Sequence, residues 1–200
     1  TQKKETLTLA EAPRLIENGA LRAVLELKYL YNNSEIVQKV IVYRDSRRID
    51  FVTDVEWHEK HRLLKAAFDL NVRSTRATYD IQYGHVERPT HWNTSWDYAR
   101  FEVVGHKWAD VSEADYGAAI LSNCKYGFNA KDSTLAISLL KSSTSPDRTA
   151  DQGHQSFTYS LLPHIGGFDA EKVIRPAYEL NYQPVVVEGA LNVPKLFELS

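Results

Sequence analysis

The sequence predicts an all-β protein, an antiparallel β-sandwich built as one unit. Hydrophobic residues recur mostly with a period of two, which is the signature of half-buried strands. Clusters rich in Gly, Asn, Asp and Ser punctuate these runs where turns are needed. Helix signals are sparse, and 11 tyrosines with 7 phenylalanines suit a pleated surface.

Taken in order, "TLAEAPRLIENG" (8–19) reads as at most a short helical turn. The first strand is expected over 36–44, "IVQKVIVYR", which is β-branched and closed by the turn "DSRR". In "IDFVTDVEW" (49–57), Phe51, Thr53, Val55 and Trp57 face one way, and Val52, Asp54 and Glu56 the other. "ATYDIQYGHVE" (77–87) places Ala77, Tyr79, Ile81 and Tyr83 on one side of a further strand. More strands are expected over 99–109, 116–123, 134–143, 156–164 and 183–189, separated by turns at 123–127, 129–133 and 166–171. A helix is expected to start at Asp169 and to end or kink at Pro176. No internal repeat or Gly/Ser- or Pro-rich linker divides the chain, so residues 1–200 read as a single β-sandwich domain.

Composition narrows the function. With 43% hydrophobic and 25% charged residues the chain is an ordinary globular one, and a net charge of −2 supplies no basic field for nucleic acid or an anionic membrane. One cysteine, Cys124, allows neither an intrachain disulfide nor a cysteine-based metal cluster, which favours a reducing compartment. No run of eighteen apolar residues and no signal peptide stand out, so a soluble cytoplasmic protein is expected. The chain lacks methionine and closes on the apolar "NVPKLFELS", from which we expect both ends to belong to something longer. Strand edges left unpaired in such a piece would favour association, a homo-oligomer included.

Few motifs carry chemistry. "WHEKH" (57–61) sets two histidines three apart, whereas the helical zinc-protease motif sets them four apart on one face, and the preceding alternation argues for a strand and its turn. His85 and His106 stand alone and read as hydrogen-bonded structural residues. Cys124 has Lys125 beside it but no assignable histidine, and is not read as a nucleophile. Nucleophile elbows, phosphate loops and dinucleotide fingerprints are absent. "HVERPTHWNTSWDYARFE" (85–102) is more informative, because Trp92 and Trp96 lie among Arg88, His91, Asn93, Asp97 and Arg100. Aromatic faces stack on sugar C–H faces while carboxylates and amides bind hydroxyls, so a carbohydrate surface fits. A long loop pinned by buried tryptophans fits equally.

Residues 88–128, "RPTHWNTSWDYARFEVVGHKWADVSEADYGAAILSNCKYGF", and 138–164, "SLLKSSTSPDRTADQGHQSFTYSLLPH", resemble the C-terminal β-rich portion of family 38 glycoside hydrolases, the α-mannosidases. Residues 32–68 resemble the matching upstream stretch, so the similarity covers nearly the whole chain. The resemblance implies part of a larger, mutarotase-like supersandwich in a retaining α-mannosidase acting on mannose-containing oligosaccharides. It also implies a zinc ion that holds sugar hydroxyls. The nucleophile and the zinc ligands are expected in the enzyme's own N-terminal catalytic domain, and no stretch here matches them. No residue of this chain is therefore assigned a catalytic or metal-binding role.

The same resemblance gives a frame for "SPDRTADQG" (145–153). Relatives keep this pattern with a basic residue shortly before it, here Lys141, and differ at Arg148. Pro146 and Gly153 would fix the turn, while Asp147 and Asp151 could bind sugar hydroxyls or hold a neighbouring arginine. Lining the cleft and making an interdomain contact both remain open for this loop. The residues expected to bind substrate are Lys141, Asp147, Asp151, Trp96 and Asp97. A stand-alone carbohydrate-binding module and a purely structural scaffold are the alternatives. A scaffold would place Trp92 and Trp96 in the interior or in an interdomain contact, and a binding module would expose tryptophan.

Overall fold

A strand turns alternate side chains to opposite faces, so a period-two sequence is stable only where each apolar face is covered. In the computed structural model, which describes residues 4–186, 188 and 189, two antiparallel sheets and one helical segment do the covering. The strands are β1 (Arg14–Asn18), β2 (Arg22–Tyr31), β3 (Ser34–Tyr43), β4 (Ile49–Trp57), β5 (Leu63–Asp69), β6 (Arg76–Ile81) and β7 (Gly84–Pro89). After helix α1 (Ser95–Ala99) follow β8 (Val103–Val104), β9 (Trp108–Ser112), β10 (Tyr116–Ser122), β11 (Gly127–Lys131), β12 (Thr134–Lys141) and β13 (Gly153–Ile165). One sheet has the order β1-β2-β3-β4-β13-β10-β9-β6-β7, and the other β5-β12-β11-β8. The predicted all-β antiparallel sandwich is the architecture observed.

Ile36, Val55, Trp57, Ala109, Val111, Ile120, Phe157 and Tyr159 point from the nine-stranded sheet toward Leu135, Ile137 and Phe128 of the four-stranded sheet. Burying each of the larger side chains stabilises the fold by roughly 1.5–3 kcal/mol relative to exposure. Polar groups in this layer are paired: Gln38 donates to the Thr53 hydroxyl at 3.0 Å and to the Tyr159 hydroxyl at 2.9 Å. A second cluster lies on the outer face of the nine-stranded sheet, where Trp108, Ala119, Leu121 and Leu162 are capped by Val173, Ala177 and Leu180.

Those three capping residues come from the predicted helix. Asp169 caps it, its Oδ1 accepting from the amides of Glu171 at 2.9 Å and Lys172 at 3.3 Å. A single π turn, Ala170–Ile174, precedes α2 (Arg175–Asn181). Pro176 does not end the helix. It sits in the first turn of α2, where a missing N–H costs nothing, and marks the switch from π to α winding.

Four expectations need correction. Part of 8–19 is strand, because Arg14–Asn18 pairs with β2 through a bulge between Leu15 and Glu17. Residues 77–87 form a hairpin, not one strand: Ile81 pairs with Gly84, and Tyr83, at φ 63°, stands fully exposed at the tip. Residues 99–109 are divided between sheets, β8 in one and β9 in the other. The crossing runs through Gly105, where an added Cβ would lie 2.9 Å from the Phe128 ring. Finally, residues 183–186 of the expected last strand carry no regular structure, and Val187 lies outside the described residues.

Candidate functional site

One end of the sandwich gathers polar loops. The β2–β3 turn (32–33), the β4–β5 loop (58–62) and the β12–β13 loop (142–152) converge where Trp57 pairs with Gly153. His61 N–H donates to the Ser142 carbonyl at 2.7 Å, and Ser142 N–H to the Arg62 carbonyl at 3.0 Å. The Trp57 indole N–H donates to the Ser142 hydroxyl at 2.9 Å. Glu59, 8% exposed, accepts from the Ser34 hydroxyl and the Asn32 amide, both at 2.9 Å, while its carbonyl accepts from the Gln152 side chain. The two longer loops are thus fastened to each other and to the hairpin beside them.

The "SPDRTADQG" segment rides on this base. Its first peptide bond, Ser145–Pro146, is cis. Asp147 Oδ1 accepts from the Thr149 amide at 2.8 Å and its hydroxyl at 3.0 Å, an Asx-type turn. Asp151, at φ 60°, accepts the Lys141 amide at 2.5 Å, and Gly153 follows at φ 85°. Two left-handed residues close the loop, a conformation that aspartate tolerates and glycine adopts freely. The Lys141 backbone thus meets Asp151 directly, Asp147 lies in the same loop, and each carboxylate keeps one oxygen without a partner among the described residues.

The Thr149 amide, and after it the Thr149 hydroxyl, hold the Asp147 carboxyl below the usual carboxylate pKa by favouring its charged form. A depressed folded pKa means that this turn contributes stability above the unfolded value and loses it as pH falls through the folded one. An NMR titration is expected to give Asp147 a midpoint below that of aspartate in an unfolded peptide, with Thr149→Ala moving it upward. A midpoint at or above the peptide value would refute the turn.

Trp96 and Asp97 lie elsewhere. Thr94 and Asp97 form a capping box on α1, with the Thr94 hydroxyl donating to Asp97 Oδ2 at 2.8 Å and accepting the Asp97 amide at 3.1 Å. His91 Nδ1 lies 3.6 Å from the same carboxylate. Trp92 is partly buried, meeting Tyr98 edge-on and lying 4.3 Å from the Lys131 ammonium, while Trp96 is 75% exposed. This loop is tied to the β11–β12 turn by the Asp132 amide, which donates to the Thr90 carbonyl at 2.8 Å. Lys141 is at the opposite end of the eight-residue β12. Seven steps at about 3.3 Å put roughly 23 Å between the two ends. The five expected residues therefore form two groups, not one site.

Other expectations resolve individually. His58 and His61 are exposed loop residues. His85 and His106 are held by ring contacts, His85 against Trp108 and Phe168 and His106 against Tyr126, and among the described residues not by side-chain hydrogen bonds. Cys124 is at the surface, and burial of its thiol pushes the pKa up, only partly offset by Lys125. Among the described residues no three His, Cys, Asp or Glu are grouped to hold a metal ion. Sequence reasoning missed Glu59, an acid in a polar loop whose burial no local pattern announces.

Fold and loop-bearing end together define the class, a two-sheet antiparallel β-sandwich domain. The solved α-mannosidase of Enterococcus faecalis V583 superposes with a TM-score of 0.75 over 86% of this chain and 24% of its own, at 16% identity, which establishes the fold alone. A second Enterococcus faecalis structure, a protein in the glycosyl hydrolase family 38, gives a TM-score of 0.73 at the same identity, over 87% of this chain and 25% of its own. Sequence then specifies the family. The family model "Glycosyl hydrolases family 38 C-terminal domain" matches residues 1–149, and the chain belongs to that family. It is 50% identical to Alpha-mannosidase G of Dictyostelium discoideum over 173 residues, 84% of this chain and 16% of that protein. Alpha-mannosidase 2C1 of Homo sapiens is 47% identical over 178 residues, 89% of this chain and 17% of that protein. The chain thus spans about a sixth of the length of these relatives.

Proposed function

We propose that residues 1–200 form one β-sandwich domain in the C-terminal part of a retaining α-mannosidase that removes terminal α-D-mannosyl residues from oligosaccharides. The supporting observation is 43–50% identity to α-mannosidases over 68–89% of the chain. In this reading the domain buttresses the enzyme's own N-terminal catalytic domain, and the end carrying Lys141, Asp147 and Asp151 reaches the cleft. Asp97 acts at one remove, by capping the helix that presents Trp96 as a stacking surface. In this reading the zinc ion implied by the family resemblance and the nucleophile both belong to the catalytic domain. The surface thiol of Cys124 accords with a reducing cytoplasm, and the open sheet edges allow self-association.

Hydrolysis of a chromogenic α-mannoside, with zinc added, tests this reading on the 200-residue chain beside the full-length protein. Turnover is expected only from the longer protein. Turnover by the short chain would put the nucleophile among these carboxylates and overturn the assignment.

A further inference from the structure

The outer face of the nine-stranded sheet carries a cleft of about 370 Å³, between the tip of the β6–β7 hairpin, the segment entering β9, and α2. Its volume lies within the roughly 300–1,000 Å³ usual for small-molecule sites. Asp80 is the most deeply set polar group lining it. That residue is only 8% exposed, and its Oδ2 accepts the Lys107 amide at 2.9 Å. Oδ1 has no hydrogen-bond partner among the described residues. It is not among the fully enclosed side-chain polar atoms of the described residues, so it stays open to the cleft, where a ligand hydroxyl can reach it. Asp80 therefore holds an acceptor in reserve beside an open volume.

The surroundings are preorganised. The Lys107 ammonium lies 3.9 Å from Asp80 Oδ2 and 4.8 Å from the centre of the Tyr178 ring, held between an anion and an aromatic face. His85 and His106 stand on the walls, each braced by ring contacts. Tyr83 projects from the hairpin tip and is fully exposed.

We propose that this cleft is a non-catalytic subsite for a neutral hexose unit of the α-mannosyl class; only the choice of sugar rests on the mannosidase reading. Charge argues for a neutral ligand, because Asp80 and Lys107 cancel and leave no net field for phosphate. A metal ion is disfavoured, as the described residues group no three suitable ligands. An acceptor beside a donor matches two vicinal hydroxyls, one donating to Asp80 Oδ1 and the next accepting from Lys107 Nζ. The exposed Tyr83 ring offers a face to the sugar C–H groups, whereas the Tyr178 ring is taken up by Tyr182 and the Lys107 ammonium. Such a subsite would hold a remote part of a branched oligosaccharide while its terminal residue is cleaved.

The test uses the full-length protein and a thio-linked α-mannobiose, which resists hydrolysis, with binding followed by calorimetry and by ligand-observed NMR. Aryl α-mannoside hydrolysis is measured in parallel. Asp80→Asn keeps side-chain shape and an acceptor for the Lys107 amide, and is expected to weaken one binding event about tenfold or more while aryl-mannoside turnover is unchanged. Tyr83→Ala, at a position that packs on nothing, is expected to weaken the same event less. Equal binding by wild type and both variants would overturn the subsite and leave the mannosidase reading standing. Displacement of the sugar by inorganic phosphate from the Asp80-dependent site would overturn the neutral-ligand assignment. Asp80-dependent binding in a protein that does not cleave aryl mannosides would support the subsite and sink the mannosidase reading.

Discussion

Trp57→Ala is expected to lower the unfolding free energy by about 3–5 kcal/mol, enough to remove much of a typical domain's stability. The indole is 1% exposed at the end of β4, stacked at 6.4 Å on Tyr31 with the planes 11° apart. Truncation opens a cavity in the core and also takes from the Ser142 hydroxyl, 1% exposed, the donor it accepts from, leaving only its own donation to the Arg62 carbonyl at 3.1 Å. Ser142→Ala alone removes the hydrogen bonds without the cavity and is expected to cost only about 1–2 kcal/mol. Because the two residues share one bond, the double variant should be less destabilised than the sum of the singles. Urea unfolding midpoints at unchanged m-value measure all three. A loss below about 1 kcal/mol for Trp57→Ala would contradict a packed core at this point. Amide exchange should also quicken through 142–152, since Ser142 joins that loop to the core.

Strands with strong β-formers were legible in the sequence, and those with mixed composition were not. "IDFVTDVEW" matches β4 at both ends, because alternation and β-branching agree there. β2, "RAVLELKYLY", was missed although Leu25, Leu27, Tyr29 and Tyr31 alternate, because Leu, Glu, Lys and Ala are equally good helix formers. β5, "LLKAAFD", was missed for the same reason, and it becomes a strand by pairing with β12 over residues 63–69. Local signal also cannot report a hairpin tip held by tyrosine, a residue that rarely adopts positive φ, nor a glycine chosen for space at a crossing between sheets. The site was half legible. Proximity of Lys141, Asp147 and Asp151 follows from their nearness in sequence, whereas the distance from Trp96 and Asp97 depends on which end of β12 each loop joins. Asp80 and Lys107 meet only because β6 and the segment entering β9 lie side by side, a fact of topology that spacing in the chain does not encode.

Asp110→Ala is expected to destabilise the fold by about 2–3 kcal/mol, because it strips a buried imidazole of its hydrogen-bond acceptor and not for a packing reason. Asp110 and His164 are 1% and 4% exposed, with His164 Nε2 at 2.7 Å from Asp110 Oδ2, and the Ser112 hydroxyl donating to Oδ1 at 2.9 Å. They sit on β9 and β13, two strands apart, with β10 between them. The pair can meet because the intervening residue is Gly117, which pairs with both Ser112 and His164. A Cβ on Gly117 would fall 2.4 Å from His164 Cε1 and from Ser112 Cβ, so no other residue leaves the corridor open. His164 Nδ1 is already without a hydrogen-bond partner among the described residues, and removing Asp110 would strand the second ring nitrogen too. Asp110→Asn keeps the shape and an acceptor for the imidazole N–H, and is expected to cost clearly less than Asp110→Ala. Gly117→Ala is expected to cost about 1–3 kcal/mol by pushing the ring aside. If denaturation gave equal losses for Asn and Ala at position 110, the hydrogen bond would not be the source of the effect. If Gly117→Ala were neutral, the two side chains would not meet across β10, and the outer face of the sheet would be held by the helix alone.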